Sequence, residues 1–201
     1  MSYLHPKRFT PDRDIALANG LATEGDTFFL RLVSWQANHD IGEKGWNDEL
    51  LGNVINKLAA HGKVLISSEA ALSDRFKSYA YPGKVREVPH VMAFCLAFIG
   101  ESATMASECA VLGVPAIYAA RTGRGYTNEQ ESRYGLVKNL RQLSWNRLAE
   151  MIDDTLQQSR EQWQQRRQQL LSETIDVAEF VTHCIETFPG PLQAYQYSLT
   201  K

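Results

Sequence analysis

The sequence predicts an α/β domain of three layers: a parallel sheet, helices on both of its faces, and further helices closing the C-terminal end. Three observations predict it. Short apolar runs at 27–35, 64–66, 96–99 and 115–119 alternate with segments of helical period. The connections between them are short, as in strand–helix–strand units with right-handed crossovers. After residue 144 the strand signals give way to amphipathic helical patterns.

The elements follow in chain order. Thr10 reads as a helix cap, with Pro11 in the first position and Asp12 and Asp14 in the first turn. The run 27–35 reads as a buried strand, and 36–45 as a polar loop holding Asn38, His39 and Asp40. Asn47 caps a helix whose apolar positions are Leu50, Leu51, Val54, Ile55 and Leu58, with Gly62 ending it. A short strand at 64–66 leads into Ser67, Ser68 and Glu69. Residues 89–95 form a short helix and 96–99 a strand closed by Gly100. A helix over 103–112 stops at Gly113, and 115–119 is the next strand. Leu148, Met151, Ile152 and Leu156 mark a helix beyond. Residues 157–169, rich in Gln, Arg and Glu, read as a solvated surface helix, and Val177, Phe180, Val181, Cys184 and Ile185 as a last amphipathic one. The expected organisation is one domain over 1–201, with 144–201 a helical extension.

Composition narrows the function classes. A hydrophobic share of 44% in 201 residues suffices for a sizeable core. With 21 basic and 23 acidic residues the net charge is −2, which gives no electrostatic case for nucleic acid or a membrane surface. No apolar run approaches the ~20 residues of a membrane span. The first residues lack a signal-peptide core. Cys95, Cys109 and Cys184 are odd in number and scattered, so reduced buried thiols and a cytoplasmic setting are expected.

The chemistry concentrates in 98–115. A strand ends in Gly100, where a missing Cβ lets a ligand or another chain approach. Ser102, Ala103 and Thr104 then open a helix whose free N–H groups and positive dipole end form an anion site. In a parallel sheet this point lies at the carboxyl edge of the strands, where ligands bind. An ordinary Ser cap with nothing bound reads equally well. Glu108, further along the helix, either solvates an exposed face or accepts hydrogen bonds from paired hydroxyls such as those of a ribose. His39 either donates to a diphosphate or protonates a leaving group, or else is held by Asp40 for structure. Arg31 inside an apolar strand needs an acid such as Asp40, or a phosphate. Ser34 is a further cleft candidate, and Glu69, after the 64–66 strand, either faces the cleft or is an ordinary surface acid. Arg121 and Arg124, among glycines at 121–126, either embrace a diphosphate or belong to a solvated loop. P-loop and Gly-x-Gly-x-x-Gly motifs are missing, and no Cys/His cluster has metal-ligand spacing.

The run from Ser102 to Pro115 resembles the nucleotide-binding helix of GT-B enzymes, including the UDP-N-acetylglucosamine 2-epimerases. Both place a Glu five residues before the Gly of a Gly-x-Pro, here Glu108, Gly113 and Pro115. The sequence is also similar to the C-terminal half of the DUF354 family, uncharacterised proteins classed as GT-B glycosyltransferases. That similarity rests on 3–11, 31–42, 100–115 and 125–137 in combination. It implies a Rossmann-like domain, the C-terminal half of a GT-B fold. Gly100, Ser102, Ala103 and Thr104 of the turn, with Arg124, would hold the diphosphate of a UDP- or GDP-sugar, and Glu108 the ribose. His39 would be the catalytic candidate, with Arg31, Ser34, Asp40, Glu69 and Arg121 in the cleft. No metal or other cofactor is implied, because a helix dipole and basic groups neutralise a leaving diphosphate. Nucleotide-sugar epimerase or hydrolase chemistry is the variant reading, and a non-catalytic binding or dimerising fragment the alternative. Full-length members carry an acceptor domain ahead of the Tyr3-Leu-His-Pro segment. The resemblance therefore implies that this chain needs a separate N-terminal-type domain or a second copy, and turns nothing over alone.

Overall fold

The computed structural model describes residues 2–34 and 45–188. Five parallel strands form one sheet: β1 (Asp26–Leu32), β2 (Gly62–Ser68), β3 (Ala97–Gly100), β4 (Ala116–Ala119) and β5 (Val137–Leu140). Their spatial order is β2-β1-β3-β4-β5, with every neighbouring pair parallel. The helices are α1 (Arg13–Ala18), α2 (Asp48–Ala59), α3 (Val88–Ala93), α4 (Ala103–Leu112), α5 (Gly125–Ser132), α6 (Trp145–Leu156), α7 (Arg160–Glu173) and α8 (Val177–Thr187).

Strand alternation sends side chains to two cores. Phe29, Leu65, Phe98 and Tyr118 face one layer, with α1, α3, α4 and α7. Phe28, Leu30, Val64, Ile66, Ile99 and Ile117 face the other, with α2 and α6. The strands read as continuous apolar runs because both faces of a parallel sheet are covered. This is the expected three-layer α/β architecture.

Local chemistry fixes several boundaries as expected. Asn47 caps α2 through the Leu50 N–H at 2.8 Å. Gly113 ends α4 in the left-handed region at φ 79°, where a Cβ carries a steric cost. Other boundaries differ. The first helix is capped by Asp12, whose carboxylate accepts the Ile15 N–H at 3.0 Å, so Thr10 is not the cap. Gly62 does not end α2; it opens β2, directly against the Asp26 backbone.

Two elements carry no clear sequence signal. β5 has only four residues and puts Lys138 and Asn139 in its middle. Lys138 is absorbed by α6, where its ammonium meets the Met151 carbonyl, the Thr155 hydroxyl and Asp154. α5 begins at Gly125 inside the stretch expected to be loop.

The Gln-rich stretch is helical, as α7, yet it is not simply solvated. Trp163 and Leu170 are buried against the α4 layer. Its polar side chains serve the C-terminal end of α4: Arg167 donates to the Val111 carbonyl at 2.7 Å and Gln164 to that of Gly113 at 3.3 Å. Such carbonyls have no partner within their own helix, and a cation there also suits the dipole. α8 differs again, with no buried side chain and Val177, Val181, Ile185 and Phe188 all exposed.

Candidate functional site

In this strand order the chain reverses direction of winding between β1 and β3, and crevices for ligands open at the carboxyl ends of such a pair. The first turn of α4 stands there. Ser102 caps it, its hydroxyl accepting the Met105 N–H at 3.3 Å. No described residue meets the N–H groups of Ala103 and Thr104. Ala103 is buried and Thr104 exposed. The edge therefore carries two donors without a described partner and a positive dipole end.

Of the two readings of Gly100, the structure shows the close approach of another strand. A Cβ there would lie 2.3 Å from the Arg31 carbonyl oxygen, so its smallness serves the packing of β3 on β1.

Arg31, Ser34 and Glu69 are brought together. The Arg31 guanidinium donates to the Ser67 hydroxyl at 2.8 Å and to Glu69 at 2.5 Å. Glu69 also accepts the Ser34 N–H at 3.0 Å and the Ser34 hydroxyl at 3.2 Å. The Ser34 N–H chiefly holds the Glu69 carboxyl below its ordinary range, burial opposing and the Arg31 charge assisting. Among the described residues, the acid that Arg31 finds is Glu69. His39 and Asp40 lie outside the described residues.

Glu108 does not solvate an exposed face. It is 8% exposed and accepts the Tyr3 hydroxyl at 2.7 Å. Burial and this carboxylate both raise the Tyr3 pKa. A carboxylate has four lone-pair sites, so acceptor capacity remains beyond the Tyr3 bond. Arg121 is exposed. Arg124 lies just ahead of α5, with its guanidinium donating to the Gly123 carbonyl at 3.1 Å. The structure does not bring the two arginines into contact with Ser102 or Glu108.

Glu101 is the residue that sequence reasoning passed over. It is 4% exposed, and its carboxylate accepts the Val33 N–H at 2.9 Å and the Trp46 N–H at 2.8 Å. It ties the two flanks of 35–44 to the end of β3. The available signal was an acid placed directly after a fully apolar strand and before a capping Ser. Trp46 is held a second time, its indole Nε1 donating to the Ala119 carbonyl at 2.9 Å. Among the described residues no three His, Cys, Asp or Glu side chains converge as a metal site, and no helix is long and apolar enough to cross a membrane.

No family model and no curated protein matches the chain. Solved structures do. A protein from Listeria monocytogenes assigned as a UDP-N-acetylglucosamine 2-epimerase superposes over 92% of this chain and 49% of its own, with TM-score 0.54 and 12% identity. The wall teichoic acid polymerase TagF, as its H548A variant, gives 87%, 46%, 0.53 and 16% on the same measures. The glycotransferase of kitacinnamycin gives 76%, 42%, 0.51 and 12%. The chain has the Rossmann-like fold of one half of a GT-B protein. It spans less than half the length of each of these three structures.

Proposed function

We propose that this chain is the nucleotide-sugar-binding half of a GT-B-type glycosyltransferase, as the similarity to DUF354 implies. The observation that carries the reading is the start of α4 at the β1/β3 crevice, with the Ala103 and Thr104 N–H groups free of described partners. Those donors and the helix dipole would take the diphosphate, and would stabilise it as it leaves. Glu108, one side of its carboxylate held by Tyr3, would accept the ribose hydroxyls. The second wall of the cleft would come from an N-terminal-type domain. The exposed apolar stripe of α8 suits such a contact, or a second copy. Transfer then needs both walls, and this half alone binds donor without turnover.

Titration calorimetry with UDP-, GDP- and CDP-linked sugars tests the reading. At least one should bind, and Glu108→Gln should weaken it by about 1–3 kcal/mol, the range for hydrogen bonds to a charged group. The amide keeps the volume and still accepts from Tyr3, so Tm should barely change. Absence of binding at millimolar donor, or equal binding by the variant, would overturn the assignment.

A further inference from the structure

A second recess opens at the carboxyl edge, on the other face of the sheet from α4. It lies between the N-terminal ends of α2 and α6, the two helices of that layer. Its volume is about 290 Å³, close to the lower end of small-ligand sites. Trp46 and Trp145 line it, with Asn47, Glu49, Asn53 and Arg121 around them.

We propose that this recess binds a neutral pyranose. Three features select that chemistry. The first is a fixed aromatic wall: Trp46 is anchored through its backbone N–H to Glu101 and through its indole N–H to Ala119. Trp145, the first residue of α6, adds a second, partly exposed indole. The negative face of an indole attracts the polarised C–H groups on one face of a sugar ring. The second feature is a set of free polar groups. Arg121, Glu49 and Asn53 have no hydrogen-bond or ion-pair partner among the described residues. Arg only donates, Glu only accepts and Asn does both. Vicinal hydroxyls, each donor and acceptor, need that mixture. The third feature is charge balance. Glu49 disfavours an anion and Arg121 disfavours a cation, which leaves an uncharged polyhydroxyl ligand.

The recess shares no lining residue with the turn at Ser102–Thr104, so a bound nucleotide is expected to leave it open. The binding of a pyranose here does not rest on the transferase reading.

The test uses the full chain with methyl glycosides of glucose, galactose, mannose and N-acetylglucosamine. Saturation-transfer difference NMR reads contact and tryptophan fluorescence reads affinity. At least one glycoside should bind in the millimolar range, with transfer strongest to the protons of one ring face. Trp145→Ala and Asn53→Ala should each weaken it by about tenfold or more. Asn53→Ala and Arg121→Ala alter partly exposed or exposed polar groups, and so keep the test valid if the Trp145 variant unfolds. Saturating UDP should not displace the glycoside. The proposal fails if no glycoside transfers up to about 50 mM, if Asn53→Ala and Arg121→Ala both bind as the parent does, or if UDP competes. Nucleotide binding without glycoside binding sinks this proposal alone. Glycoside binding without any nucleotide-sugar binding sustains the recess and removes the transferase reading.

Discussion

Replacing Glu101 by Gln should loosen both flanks of 35–44 at once. The parent carboxylate accepts two backbone N–H groups, from Val33 at 2.9 Å and Trp46 at 2.8 Å, in a site only 4% exposed. An amide offers one acceptor atom. Its NH2 group must then face the second N–H, donor against donor. A hydrogen bond to a charged group is worth about 1.5–3 kcal/mol, and a buried donor left unmet costs about 1–3 kcal/mol. One bond persists in weakened, neutral form, so the expected loss is about 2–4 kcal/mol. For a chain of this size that is a fall of roughly 4–16 °C in Tm. Urea unfolding of Glu101→Gln against the parent measures the energy. Native-state hydrogen exchange locates it, with the Val33 and Trp46 amides exchanging faster while those of β3 and β4 keep their protection. A change within about 0.5 kcal/mol, the range of ordinary surface substitutions, together with unaltered exchange at both amides, would refute the clamp.

Two further expectations concern α7 and Glu69. Trp163 is 3% exposed against the α4 layer, so Trp163→Ala should cost about 3–5 kcal/mol by denaturant unfolding. A loss under about 0.5 kcal/mol would return α7 to a solvated appendage. The Glu69 carboxyl has a folded pKa below its ordinary value, so its stabilising contribution is full above the ordinary value. It is lost as pH falls through the lowered one. The stability gap between parent and Glu69→Gln should therefore be wide near about pH 7 and narrow toward about pH 3. A gap that stays constant over that span would show that the Ser34 and Arg31 contacts do not act on the charged form.

What was legible in the sequence was short in range. Asn47 reaches the Leu50 N–H three residues away, and Gly113 ends α4 by its own backbone angle. The turn at Ser102 and the helix over 103–112 came out at the expected residues because cap, body and stop lie within a dozen positions. The alternation of apolar runs with amphipathic segments gave the three-layer class for the same reason: period is a local property.

Only the tertiary structure decided the rest. Strand order β2-β1-β3-β4-β5 is a choice among pairings of similar apolar runs. β5 pairs on β4 although its centre is polar, because α6 supplies partners for Lys138. The role of Gly100 could not be read until Arg31 stood beside it across the sheet. Arg31 and Glu69 lie 38 residues apart, Glu101 and Val33 68, and Tyr3 and Glu108 105. The sequence by itself determined that buried acids and an arginine at strand ends must be satisfied, since an unmet charge in a packed interior costs several kcal/mol. Which group satisfies which is set by the sheet register and the layer each helix covers, and those exist only once the whole chain has packed.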